Sequence, residues 1–241
     1  MLPNQTAFSF LIAIFFILVG CQQSNQEKFK EVKVQSSEKR EALVASCVVC
    51  HGVQEAQRGP ILNGMENWYL RDQINKFRSG IRGNNPENRS EHLMGIGAKS
   101  ITEDLDVPYL AYWFSSKEPV PAIRTIRGDL KLGKDLYQRK CVSCHGEKGE
   151  GNQKLISPSL THLEGWYFYQ QMRKFREGKR GYHPRDEGGR VMSAASKELS
   201  DYDIKNLVAY CVDAFGLPEV ELTKTDPAPK PFGLLSKLTS D

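Results

Sequence analysis

The feature that most restricts the fold is an internal repeat. Sliding the chain along itself by 98 positions lays Pro60–Met94 on Pro158–Met192. Identity then falls at Pro60, Leu62, Glu66, Trp68, Tyr69, Gln73, Lys76, Phe77, Arg78, Gly80, Arg82, Gly83, Pro86 and Met94, which is 14 of 35 positions. Farther upstream, Cys47-Val48-Val49-Cys50-His51 matches Cys141-Val142-Ser143-Cys144-His145 at an offset of 94. The second copy therefore carries four extra residues near Gly149, Glu150, Gly151 and Asn152, an insertion suited to a surface loop. Downstream, Lys99, Ala111 and Tyr112 return to the 98 offset on Lys197, Ala209 and Tyr210. The same small unit must be built twice, which predicts domains at 37–118 and 119–216.

Periodicity within each copy is helical, and no strand pattern stands out. Ile204, Leu207, Val208, Cys211 and Phe215 repeat at helical intervals in Asp201–Phe215, and Ser200 is placed to cap the start. Leu70, Ile74 and Phe77 trace a helix in copy one, and Phe168, Met172 and Phe175 its counterpart. Shorter helices lead into each cysteine motif, over Lys131–Lys140 and Glu38–Ser46. The fold class expected is all-α, with Ser115–Pro121 as a short proline-stiffened linker. Residues 217–241 contain Pro and Lys and read as a mobile tail.

The N-terminus points to export. Ala7–Gly20 is an uncharged run of 14 residues, the length of a signal-peptide core and short of the roughly 20 that span a bilayer. Residues 1–20 are expected to be a removed signal, a short uncleaved membrane anchor being the competing reading. Leu18-Val19-Gly20-Cys21 resembles the bacterial lipobox, which implies cleavage before Cys21 and lipid attachment to it. Gln22 and Gln23 then favour sorting to the outer membrane, and polar residues 21–36 form a tether.

Six cysteines are too few to staple 241 residues, and four lie in the two CxxCH motifs. CxxCH is the attachment signature of c-type haem: two thiols form thioethers with the porphyrin, and the adjacent imidazole supplies an axial nitrogen. A zinc site made of four cysteines would bring its pairs much closer in sequence, and a dithiol exchange site would want a βαβ setting. Two covalent haem c groups are expected, on Cys47 and Cys50 and on Cys141 and Cys144, with His51 and His145 as axial ligands. Repeat equivalence selects Met94 and Met192 as the opposite ligands, because His92 and His183 have no histidine at the matching position. His162 aligns with Gly64 and reads as a surface histidine, and Cys211 lies on an apolar helical stripe as a small core residue.

These residues resemble the class I c-type cytochromes, specifically the tandem di-haem cytochrome c-four kind, over about 180 residues from near Ser37 to Phe215. The resemblance implies that the carbonyls of Pro60 and Pro158 accept a hydrogen bond from His51 and His145 and orient them. Gly133 matches the glycine with which that family packs its first helix on an aromatic of its last, here Tyr210; copy one has Lys39 instead. Pro108 falls where the last helix of copy one should be under way, predicting a late start or a kink. Arg78, Arg82, Arg176 and Arg180 are candidates to pair with haem propionates, or else are solvated charges. The segment QQMRKFREGKRGYHPRDEGGRVM also looks like haem domains fused to terminal oxidase subunits.

A balance of 33 basic against 29 acidic residues argues against nucleic acid as a partner. The halves differ: 10 basic against 11 acidic residues over 37–118, and 17 against 12 over 119–216. Arg173, Lys174, Arg176, Lys179 and Arg180 form a basic concentration that would steer an acidic redox partner. The expected role is electron transfer, without catalysis, between a respiratory donor and a terminal oxidase or reductase on the periplasmic side of a bacterial membrane. The alternatives are a di-haem oxidoreductase resembling thiosulfate dehydrogenases or cytochrome c peroxidases, and a fixed subunit of a membrane oxidase or reductase complex.

Overall fold

A computed structural model describes residues 38–52, 58–121 and 124–217. The expected signal, Cys21, the tether and almost all of the tail lie outside the described residues. The chain parts into two compact units between Lys117 and Glu118. Among the described residues there is no strand, only an isolated bridge between Asn152 and Ser157. None of their helices is long and apolar enough to cross a membrane.

In the first unit, helix α1 covers residues 38–51 and runs through the cysteine motif. It is followed by α2 (Asn67–Arg78), α3 (Arg89–Ala98) and α4 (Asp106–Ser115). Helix α4 does start late: its counterpart begins at position 201, three residues earlier once the offset of 98 is removed, and Pro108 sits in its first turn. Proline is tolerated there because first-turn amides have no intrahelical acceptor. The core is two clusters. Val44, Ile74, Ile101, Val107 and Leu110 form one, and Leu70, Ala111 and Phe114 the other.

The second unit contains α5 (Leu130–Lys140), α6 (Val142–His145), a 3-10 turn at Gln153–Leu155, α7 (Gly165–Arg176), α8 (Glu187–Ser196) and α9 (Asp201–Phe215). Asp129 caps α5 by accepting from the Leu132 amide at 3.0 Å. At α9 a full capping box forms: the Ser200 hydroxyl accepts from the Asp203 amide, and the Asp203 carboxylate accepts from the Ser200 amide. The inward stripe of α9 joins Leu136, Tyr137, Phe168 and Met172 in a single core cluster. Cys211 belongs to it, 1% exposed, and burial holds its thiol well above the ordinary value. The four-residue insertion lies in the loop between α6 and the 3-10 turn, where Gly149 and Gly151 take positive φ.

Candidate haem sites

Each CxxCH motif is delivered by a helix of the first-to-last helix pair of its unit. Cys47 and Cys50 are one turn apart on α1, while Cys141 is the residue between α5 and α6 and Cys144 lies on α6. All four are half-buried, and none of them is joined to another in a disulfide. Burial raises Cys47 above its ordinary value and takes Cys141 up to about 11. A dithiol exchange centre needs the opposite, a thiol whose pKa is pulled down. The two motifs fall in different units, and among the described residues no three His, Cys, Asp or Glu side chains gather to hold a metal.

The histidines are held alike. His51 Nδ1 lies 2.8 Å from the Pro60 carbonyl oxygen, and His145 Nδ1 lies 2.9 Å from that of Pro158. A carbonyl only accepts, so each Nδ1 carries the proton and the Nε2 lone pair is left for a metal. Burial pushes the His51 pKa down, only partly opposed by the bond to Pro60, which favours the neutral ring that ligation requires. Gly59 backs that ring: an added Cβ would lie 2.5 Å from His51 Cε1 and 2.8 Å from Nδ1. In copy two a further brace is present. The Tyr137 hydroxyl donates to the carbonyl oxygen of Gly146, next to His145, at 2.5 Å, and desolvation raises its pKa strongly. Position 43 in copy one is Leu43, so this brace has no equivalent there. Paired thiols, a neutral imidazole of fixed tautomer and a close backing surface are what a covalently attached haem needs, and the residues fit that group.

Met94 lies on α3 and Met192 on α8, both half-buried and at repeat-equivalent positions, and Met192 packs against the core of its unit. The four arginines have protein partners. Arg78 reaches Asp104 Oδ1 at 3.3 Å and ties α2 to the segment before α4, and Arg176 reaches Asp201 Oδ1 at 2.6 Å and ties α7 to the start of α9. Arg82 and Arg180 are buried, over Phe77 and Phe175, and donate to Gln73 and Gln171 at 2.6 and 2.8 Å. Within the basic concentration, Arg173, Arg176 and Lys179 all reach Glu177, and Arg173 and Arg176 also reach Asp201, which offsets part of its positive charge. His162 is half-buried rather than a surface residue. It takes φ 63° where Gly64 takes 72°, and its Nδ1 has no hydrogen-bond partner among the described residues. The alignment with a glycine carried that signal. Sequence reasoning missed Gly59 and Tyr137, neither of which is shared by both copies.

Two small all-α units, each presenting CxxCH with its histidine fixed to a proline carbonyl, define a tandem class I c-type cytochrome with two covalently attached haem c groups. The cytochrome c family profile matches residues 130–213. Cytochrome c4 of Azotobacter vinelandii is 28% identical over 178 residues, covering 69% of this chain and 83% of that protein. Cytochrome c-554(547) of Halothiobacillus neapolitanus is 32% identical over 87 residues, covering 34% of this chain and 93% of its own length. The crystal structure of reduced cytochrome c4 from Pseudomonas stutzeri superposes with a TM-score of 0.55 at 26% identity, covering 75% of this chain and 98% of that one. The chain belongs to the cytochrome c family, and its work is electron transfer.

Proposed function

We propose that this di-haem cytochrome carries single electrons between a respiratory donor and a terminal oxidase or reductase, with His51 and Met94 as axial ligands in residues 37–118 and His145 and Met192 in residues 119–216. The single observation that carries the ligand assignment is its duplication: imidazole, proline carbonyl and thioether recur at matching positions of two units. When bound, each haem supplies one reversible one-electron change at its iron. The protein's part is to hold that change in place. Pro60 and Pro158 lock the tautomer and direction of their histidines, and Met94 and Met192 offer soft, neutral sulfur that favours the reduced state and a high potential. Were His51 with Met94 and His145 with Met192 to hold the two irons, no coordination position would be left for a substrate, which would separate a carrier from an oxidoreductase.

The reading extends to Cys21 as a lipid anchor after removal of residues 1–20, residues 21–36 as the tether, 217–241 as a mobile tail, and a site on the periplasmic side of the membrane, with the outer membrane preferred. An absorption and EPR spectrum of the oxidised protein, with haem counted and carbon monoxide added to the reduced form, tests the function. Two low-spin centres with the methionine-to-ferric charge-transfer band and no ligand uptake are expected. A high-spin fraction, or one centre that takes carbon monoxide readily, would move the protein to the oxidoreductases. Cys21→Ala is expected to release the protein from membranes.

A further inference from the structure

Helix α3 carries Met94, and what fixes α3 differs from what fixes its counterpart α8. In copy two, Asp186 caps α8 by accepting from the Gly189 amide at 3.1 Å, and the Ser193 hydroxyl donates to the Phe175 carbonyl of α7 at 2.8 Å. Copy one has neither tie. Asn88 makes no side-chain cap on α3, and position 95 is a glycine where copy two has Ser193. What copy one shows is a buried charge pair between Arg82 and Glu91. Arg82 Nη2 donates to Glu91 Oε1 at 2.8 Å, the two side chains being 5% and 4% exposed. Through Nη1 the same guanidinium donates to Gln73 Oε1 at 2.6 Å, so it links α2 to α3 while stacking 4.6 Å over Phe77. The backbone follows the same path. Gly83, at φ 81°, is pressed so close to α3 that an added Cβ would lie 2.5 Å from the Glu91 carbonyl oxygen. His92 Nδ1 donates to the Gly83 carbonyl at 3.2 Å.

Glu91 and Met94 are three residues apart and share a face of α3, so a rotation or slide of the helix at Glu91 moves the thioether as well. The repeat puts Gly189 where copy one has Glu91, so a glutamate at this place on the helix is found in copy one and not in copy two. We propose that Arg82 and Glu91 are positioning residues for Met94: their desolvated pair sets the height and rotation of α3 and thereby holds the thioether on one haem only. The inference rests on Met94 being an axial ligand. A charge pair in so dry a place is costly to break from one side, which makes it a rigid clamp and leaves copy one sensitive to the loss of a single carboxylate.

The test uses the full-length oxidised protein with two haems counted per chain, in Met94→Leu, Glu91→Ala and Glu91→Gln variants. Met94→Leu should remove half of the methionine-to-ferric charge-transfer band. Glu91→Ala should remove most of that same half and lower the reduction potential of one haem, leaving the other haem's potential in place. Glu91→Gln keeps a hydrogen-bond acceptor without the charge; it should restore the band in the cold and bleach copy one's share at a lower temperature than the parent, before helix content falls. A Glu91→Gln protein whose band and potentials match the parent throughout the warming overturns the proposal, even where Glu91→Ala fails to retain both haems. A full band in Met94→Leu brings down the ligand reading and this proposal with it. A halved band there beside unchanged Glu91 variants overturns the positioning role alone.

Discussion

The two copies solve the crossing of their first and last helices in opposite ways. In copy two, α5 and α9 meet backbone to backbone at Gly133, where an added Cβ would collide with the Asn206 carbonyl and lie 2.7 Å from Tyr210 Cβ. Asn206, 2% exposed, accepts from the Asp129 amide at 2.8 Å through its side chain, and Tyr137, Tyr210 and Phe215 pack ring against ring around the joint. In copy one both sides of that contact are changed together: Lys39 stands for Gly133 and Pro108 for Asn206. Charge takes over there. Lys39 pairs with Glu103, and Arg40 faces Asp106 at 3.9 Å while lying 5.3 Å over Tyr109. Asp106 itself, 2% exposed, occupies the position that Ile204 fills in copy two's core, and Tyr112, the counterpart of Tyr210, is left 67% exposed. One topology thus tolerates a close-packed joint or an ion-paired one, and the joint that carries a cysteine motif need not be the same in both.

The largest expected difference lies at the crossing itself. Gly133→Lys, which installs copy one's residue in copy two, should cost about 3 kcal/mol, because the helices must separate to admit a side chain. Calorimetry of the whole protein should show one transition falling and the other unmoved, whereas Lys39→Ala should leave both in place. Equal losses from the two substitutions would erase the contrast drawn between the joints. Next in size is the reverse exchange. Replacing Arg40 by Leu and Asp106 by Ile together removes a charge pair whose carboxylate is buried and puts an apolar pair there instead, and should raise copy one's transition by about 1 kcal/mol. A loss in the double variant would show that the pair contributes more than its desolvation costs.

The smallest effect concerns acid. The Ser200 hydroxyl, and then its amide, hold the Asp203 carboxyl below its ordinary value of 3.8. A depressed folded pKa means that the stabilisation is complete above the unfolded value and fades as pH falls through the folded one. Copy two should therefore lose a small part of its stability only below about pH 4. Asp203→Asn should flatten that limb in copy two. It should leave copy one unchanged, where the pairing with Lys39 depresses Glu103 instead. Melting the two proteins across this range checks both halves.

Much of the site was legible because the chain states it twice. Alignment of the copies separated Met94 and Met192 from Met172, which lies 6% exposed in a core, and from Met65, half-buried against one. Resemblance to the class I cytochromes supplied the proline-to-histidine bonds, and the structure shows both. The helix α9 was readable to the residue because its cap and its stripe are local. Less was legible where only one copy holds the feature. Glu91 looks like an ordinary first-turn helix acid, and nothing in its neighbourhood in sequence announces Arg82 nine residues away. The arginines show a related limit: Arg176 meets Asp201, far along the chain, and that pairing exists only once the helices have packed.

By itself the sequence determined the all-helical class, the duplication, the two covalent haem groups and the short list of residues able to serve them. Each of these is written in local spacing, and spacing along a helix converts directly into direction in space. Only the tertiary structure decided how each unit is joined, which arginine is buried and which carboxylate meets it, and that His162 stands half-buried with φ 63°. Those outcomes depend on groups far apart in the chain, whose burial and pairing exist only once the helices have packed.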